Sequence, residues 1–471
     1  MSAKNGLTRP ADSVGRAFRK GLCAVVASAG RAGIPLTRFS GTVQSCGRRR
    51  RQPWADRLCL MRSLMRNFRP RLIVPLLATT VVLVLGTTTA TAAQTSSTGL
   101  ARALRAEIDQ YLATRGTAEH ISAVSVRVDY PGFKPSIDET VGTTQYGGTT
   151  PVPRHSEWQI GSNTKAFTSV MLLQLEAEGK LSIRDTLGTW LPQYPAWHDI
   201  TIQRLLDMTS GIPDYTSQAA FVTAVATDPD TVFTSDQLVS YVANLPVGPA
   251  VYAYSNSNYI LAQLIIERAT HDTYAHQLTR RLIVPLGLRD TCYAPYTCPP
   301  GTADRMATGY FANAGLPSLF GTPMPPLNLT FAQGAGAIVA SLADLTTWER
   351  ALYTGQLLPP RQQHELESLV STTTSQPIAR TSLADPTGYG LGVGQATTTA
   401  TGTVWTYEGQ TFAFRALHIY DPETGVIVVV AVNSSVSGEQ DNLSALAIQA
   451  LQTVQDSNVS PSGTPNDRTT G

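Results

Sequence analysis

The sequence predicts an α+β fold: an antiparallel sheet flanked by helices, with a mainly helical region inserted into the sheet-forming chain. Three observations carry this. Val404–Tyr407, Ala413–Tyr420 and Val426–Val432 read as three consecutive strands, the last two joined by the turn Asp421–Gly425. Ala101–Thr114 and Asn442–Val454 have helical spacing and bracket the strand patterns at the two ends. Residues 181–325 mix helical patterns with Pro-rich loops.

Taken in order, Ala101–Thr114 is the first helix and Ala123–Val128 alternates as a strand does. Gly142–Pro153, rich in Gly, Thr and Pro, reads as turns or a hairpin. Phe167, Val170, Met171 and Leu175 recur at helical spacing, and Gly179 is a natural stop. A further helix is expected over Tyr259–Ala269 and another over Asp344–Tyr353. Gly334–Ala340 is small and apolar. No internal repeat interrupts this order.

The chain has 471 residues, 42% of them hydrophobic and 15% charged, enough for a sizeable core and too apolar for wholesale disorder. The net charge of +2 conceals an asymmetry. Residues 1–71 hold 16 of the 36 Lys and Arg but only Asp12 and Asp56 as acids, so the remainder carries 20 basic against 32 acidic residues. An acidic globular part has no electrostatic footprint for nucleic acid.

From Met65, the positive residues Arg66, Arg69 and Arg71 precede the apolar run Leu72–Leu85, and Ala90-Thr91-Ala92 supplies small residues for cleavage. We read 65–93 as a signal peptide and 1–64 as a non-native or disordered extension. The globular domain spans 94–456, followed by a disordered Ser/Pro/Gly/Thr tail over 457–471. The mature protein is then secreted or periplasmic, and meets the membrane only if the signal stays uncleaved. Past the signal only Cys292 and Cys298 remain, a plausible small-loop disulfide for an exported protein and a poor zinc site.

Ser162 and Lys165 stand three residues apart where Trp158–Lys165 runs into a helix, so their side chains share one face. A serine hydroxyl becomes a nucleophile when a neighbour takes its proton, and a helix N-terminus adds backbone N–H groups for a developing oxyanion. The chain has only five lysines. Tyr254-Ser255-Asn256 offers a phenol able to shuttle a proton and an amide able to hold a lysine or a substrate carbonyl. Each pattern alone is equally well a solvated helix start or a polar loop.

The ordered set resembles the family of class C β-lactamases, serine D-Ala-D-Ala carboxypeptidases and related esterases. Ile160–Lys165 resembles its Ser-x-x-Lys motif, Ile202–Tyr215 is similar to its Thr-Ser-Gly signature, and Tyr254-Ser255-Asn256 matches Tyr-x-Asn. Gly179-Lys180-Leu181, Leu191-Pro192, Pro285–Thr291, Gly334-Ala335-Gly336 and Tyr389–Gly392 also fit, so the likeness covers roughly 95–455. The resemblance implies a β-lactamase/transpeptidase-like fold. It implies Ser162, Lys165 and Tyr254 as catalytic residues, with Asn256, Tyr407, Gly409 and Gln410 binding substrate or the oxyanion. The third element departs from the family, which carries Lys-Thr-Gly or His-x-Gly where this chain has Tyr407-Glu408-Gly409. Tyr407 is either a hydrogen-bonding substitute for the missing cation or strand packing. Met208, where the family commonly has His, reads as packing.

The implied substrate is a small peptide, ester or β-lactam, including cell-wall peptidoglycan. D-alanyl-D-alanine carboxypeptidase-like or D-amino-acid peptide hydrolysis comes first, small-ester hydrolysis next and β-lactam hydrolysis third. A silent binding protein on the same fold is the reading from another class. An arginine near Tyr407 would favour a peptidase and an apolar mouth an esterase; Arg415 is the candidate arginine. His418, on a strand, reads as structural. No Gly-x-Ser-x-Gly, metal-site or phosphate-loop pattern is present, so no metal or organic cofactor is expected.

Overall fold

In the computed structural model, which describes residues 97–131 and 136–457, the two end helices and the strand cluster lie where the periodicities put them. The extension and export signal read over 1–93, and the tail beyond Ser457, lie outside the described residues.

Helix α1 (Ser97–Glu119) is followed by strands β1 (Ala123–Asp129), β2 (Ile137–Gly142) and β3 (Glu157–Gln159), then by helix α2 (Thr164–Ala177). Gly179 ends α2 with φ +70°, as a helix stop requires. The inserted region contributes α3 (Ala219–Thr227) and α4 (Ser257–Thr270), with shorter helices between them. Strands β4 (Thr291–Tyr293), β5 (Tyr310–Phe311), β6 (Thr322–Pro323) and β7 (Ile338–Ser341) lead to α5 (Leu342–Tyr353). Then follow β8 (Leu369–Ser371), β9 (Pro377–Ile378), β10 (Thr387–Tyr389), β11 (Gly394–Thr398), β12 (Gly402–Gln410), β13 (Arg415–Tyr420), β14 (Ile427–Val432), β15 (Ser434–Ser435) and α6 (Leu443–Asp456).

The main sheet is antiparallel throughout, in the order β2-β1-β14-β13-β12-β11-β10-β8-β9. The first strand therefore pairs with the last strand of the cluster, Val124 opposite Val432, and closes the sheet around the insertion. Side-chain alternation splits the core in two. Val126, Leu417, Ile419, Val428 and Val430 pack under α1 and α6 with Leu104, Ile108 and Leu446. Ala416, Ile427, Val429 and Ala431 face the other way, into the larger core that includes Phe167 of α2 and Trp348 of α5.

The same alternation corrects one expectation. Arg415 lies on the α1/α6 side with Leu417 and Ile419, fully buried, and pairs with Glu119 at 2.5 Å and Asp441 at 2.6 Å. It is a structural ion-pair centre turned away from the side that carries Ser162, so it is no candidate for holding a substrate carboxylate. Ala413 also lies outside the strand: β13 starts at Arg415 after a turn in which the Thr411 hydroxyl accepts from the N–H groups of Ala413 and Phe414. Cys292 and Cys298 are disulfide-bonded.

Candidate active site

Ser162 sits in a single 3₁₀ turn, Gly161–Asn163, that feeds directly into α2. Two glycines bring this turn against the end of β12. Gly161 has φ +51°, and a Cβ there would lie 2.6 Å from the Gln410 N. A Cβ on Gly409 would lie 1.9 Å from the Ile160 O and 2.7 Å from the Ser162 N. Real Cβ atoms do not approach backbone so closely, so both positions demand glycine. Asn163 adds a tie across this seam: its Nδ2 donates to the carbonyls of Ile160 and Ala416, and its Oδ1 meets His418 Nδ1 at 2.9 Å. His418 is held under the sheet by Tyr353 and Glu349, and burial lowers its pKa to about 3, so it remains neutral and structural.

One turn along, the fully buried Lys165 Nζ lies 3.0 Å from Ser162 Oγ, 2.8 Å from Asn256 Oδ1 and 2.8 Å from the Ala335 carbonyl. Desolvation brings its pKa down to about 7, opposed by the Asp214 charge. The half-buried Tyr254 completes the group with its hydroxyl 2.7 Å from Ser162 Oγ. Burial raises the Tyr254 pKa, while the hydrogen bond with Ser162 opposes the rise.

Asn256 is itself oriented by Asp214, which accepts from its backbone N–H at 3.1 Å and from its Nδ2 at 3.2 Å. The amide must therefore point its oxygen at Lys165. Asp214 is buried and caps the turn Tyr215–Ser217; burial raises its pKa and the Lys165 charge opposes this. Sequence reasoning passed over this residue, although it stands in the stretch quoted as the Thr-Ser-Gly signature. An acid three residues past that Ser-Gly pair was the available signal.

Met208 does more than pack: with φ +63° it accepts at its sulfur from the Ser255 N–H and at its carbonyl from the Ala253 N–H, fastening the Tyr254 loop. Tyr407 is buried on β12. It is 5% exposed, and its hydroxyl lies 3.2 Å from that of Tyr389.

The site thus gathers Ser162, Lys165, Tyr254, Asn256, Gly409, Gln410 and Tyr407. Ser162, Asn256 and Gln410 stand at one side of a cleft of about 820 Å³, counting space open to solvent. Val225, Phe311, Leu319, Met324, Phe331 and Phe412 are among its walls, and none of the described residues that line it is charged. Among the described residues no cluster of His, Cys, Asp and Glu could hold a metal ion, and no helix is long and apolar enough to cross a membrane.

Comparison with known proteins agrees with this architecture. Residues 107–452 match the family model described as Beta-lactamase. Penicillin-binding protein 4* of Bacillus subtilis is 26% identical over 238 residues, 48% of this chain and 52% of that protein, so the chain spans about half the length of this curated relative. A D-stereospecific amidohydrolase from Streptomyces sp. superposes with TM-score 0.61 at 26% identity, covering 74% of this chain and 98% of that one. The D-amino acid amidase from Ochrobactrum anthropi SV3 shares the fold with TM-score 0.64 at 23% identity, covering 76% and 99%. With the match running over most of the chain and through both halves of the sheet, this protein belongs to the Beta-lactamase family of serine hydrolases.

Proposed function

We propose that the chain hydrolyses small esters and amides through an acyl-enzyme on Ser162, and that the acyl group it accepts is apolar and uncharged. The observation that carries the reading is Ser162 Oγ within hydrogen-bonding reach of both Lys165 Nζ and the Tyr254 hydroxyl at the edge of an apolar cleft.

Lys165 is suited to act as base. A neutral amine has two protons and one lone pair. Asn256 Oδ1 and the Ala335 carbonyl take the two protons, leaving the lone pair for Ser162. The Ser162 proton passes to Lys165 as Oγ attacks the carbonyl carbon. The backbone N–H groups of Ser162 and Gln410 hold the oxyanion, the second role carried over by family resemblance. Tyr254 gives its proton to the leaving atom as the bond breaks and regains one from the Lys165 ammonium. Water then adds to the acyl-enzyme, and cleavage of the Oγ–acyl bond returns the proton to Ser162.

Substrate choice follows from charge. A D-Ala-D-Ala carboxypeptidase must hold a terminal carboxylate, and an unpaired carboxylate in an apolar cleft is costly. Tyr407 occupies the place of the cation, and Arg415 faces the opposite side of the sheet. Neutral esters and amides therefore rank first, with cell-wall peptides and β-lactams behind them. The Streptomyces relative, named for D-stereospecific amide hydrolysis, supports including D-aminoacyl amides. The export signal read in 65–93 puts the mature enzyme in the periplasm or outside the cell.

Intact-mass spectrometry after exposure to a fluorophosphonate and, separately, to a fluorescent penicillin tests this. We expect one fluorophosphonate adduct, lost in Ser162→Ala together with turnover of a p-nitrophenyl ester, and a weak or absent penicilloyl adduct. Labelling or turnover that survives Ser162→Ala would remove the nucleophile assignment, and labelling by neither reagent would favour a silent binding protein.

A further inference from the structure

A short chain of buried polar groups ends on Asn163, the residue next to the nucleophile. The Asn163 Nδ2 donates to the Ile160 carbonyl at 2.9 Å and to the Ala416 carbonyl at 3.0 Å. Its Oδ1 lies 2.9 Å from His418 Nδ1, and His418 Nε2 lies 2.9 Å from the Tyr353 hydroxyl. Glu349 Oε1 stands 3.1 Å from the same Nδ1. Asn163, His418, Tyr353 and Glu349 are all buried.

Counting donors and acceptors fixes the protons of this chain. The two carbonyls can only accept, so both amide protons of Asn163 face them and its oxygen faces His418. That oxygen needs a donor, so the His418 proton sits on Nδ1. Burial keeps the ring neutral, which leaves Nε2 bare to accept from the Tyr353 hydroxyl. The opposite tautomer would set the Nδ1 lone pair against the Asn163 oxygen. Glu349 also faces Nδ1, but burial holds its carboxyl well above the usual carboxylate range, so it stays neutral and competes weakly for the same proton.

The Asn163 amide occupies the seam on which the site depends. Ile160 leads into the Ser162 turn, and Ala416 is paired with Gly409 across β12 and β13. A Cβ on Gly409 would lie 2.8 Å from Asn163 Nδ2, so the amide is packed directly against that glycine. Asn163 therefore sets how closely the Ser162 turn approaches the end of β12, and with it the spacing of the Ser162 and Gln410 N–H groups. Without the Nδ1 donor a buried oxygen is left unsatisfied, at a cost comparable to the bonds that hold the amide. The amide then turns or draws in water, and the seam loosens. An apolar residue at 418 would fill the space, but only a donor satisfies Asn163. We propose that His418 is a positioning residue, whose Nδ1–H holds the Asn163 amide and through it the spacing of the two oxyanion donors. The proposal rests on the acyl-serine reading of the site.

The test compares His418→Asn with His418→Leu in turnover of a neutral p-nitrophenyl ester. The two replacements have nearly the same shape, both lose the ring and the bond to Tyr353, and only Asn carries an N–H on the atom that replaces Nδ1. His418→Leu should lower kcat by about tenfold or more, the worth of one buried hydrogen bond, with KM little changed, and His418→Asn should recover most of that loss. Equal kcat in the two overturns the proposal. Two measurements stand whether or not these variants fold. Asn163→Ala should lower kcat at least as far as His418→Leu is expected to, and wild-type kcat in it overturns the proposal. Nitrogen-15 spectra of the wild-type imidazoles should show His418 protonated at Nδ1 and bare at Nε2, and a proton on Nε2 overturns it as well. Ser162→Ala run alongside keeps the two failures apart: turnover that survives it removes the acyl-serine reading, whereas a dead Ser162→Ala beside equal Asn and Leu variants removes only the role of His418.

Discussion

At the scale of single residues, the seam between the Ser162 turn and β12 is set by the absence of side-chain atoms. Gly409 illustrates this. Adding one methyl group there places carbon 1.9 Å from the Ile160 carbonyl, and the two nearest neighbours are backbone, which cannot rotate aside. Either β12 or the Ser162 turn must withdraw. Gly409→Ala should therefore lower kcat by about a hundredfold or more, the usual cost of losing one oxyanion donor, while the protein stays folded. Single-turnover acylation by the ester checks this, and near-wild-type acylation would falsify the placement of the oxyanion site. This level was legible where chemistry comes from residues close in sequence: Ser162 and Lys165 met because a helix brings positions three apart together. The position of Asp214 carried a signal but its role did not, because its effect passes through Asn256, 42 residues away, and only the folded loop joins them.

At the scale of the element, strand parity explains both the success and the error. The end strands were readable because Val124, Val126 and Val128 alternate with polar residues and pair with the Val-rich β14. Arg415 was misjudged because nearness along a β-hairpin says nothing about which side a residue faces. Its pairing partner Gln410 stands three positions beyond Tyr407, so Arg415 falls on the opposite side from it. Its guanidinium joins Glu119 at the end of α1 to Asp441 before α6, linking the two end helices through the sheet. Arg415→Met should destabilise the fold by about 3 kcal/mol or more, because two buried carboxylates lose their shared cation. Kinetics in native buffer should show KM for neutral esters unchanged. A stable variant with raised KM would return Arg415 to the substrate.

At the scale of the whole molecule, the site is a cost borne by the core. Lys165 is fully buried between α2, the Tyr254 loop and the Gly334-Ala335-Gly336 turn, so three segments far apart in sequence contribute to its desolvation. Its folded pKa of about 7 lies far below the value near 10.4 expected for the unfolded chain. Between these two values the unfolded state binds one more proton than the native state, so this residue makes stability rise with pH. Below the folded value both states are protonated and the penalty of burying the charge is fully present. Lys165→Met removes the titration while leaving the other ionisable groups in place. Urea unfolding of both proteins at about pH 7.5 and about pH 9.5 should show wild type gaining about 2.5 kcal/mol on the variant across that interval. Parallel stability curves would mean that Lys165 is not depressed in the native state. The neutral amine would then be scarce at neutral pH, and the proton of Ser162 would need another acceptor, for which Tyr254 is the group within reach.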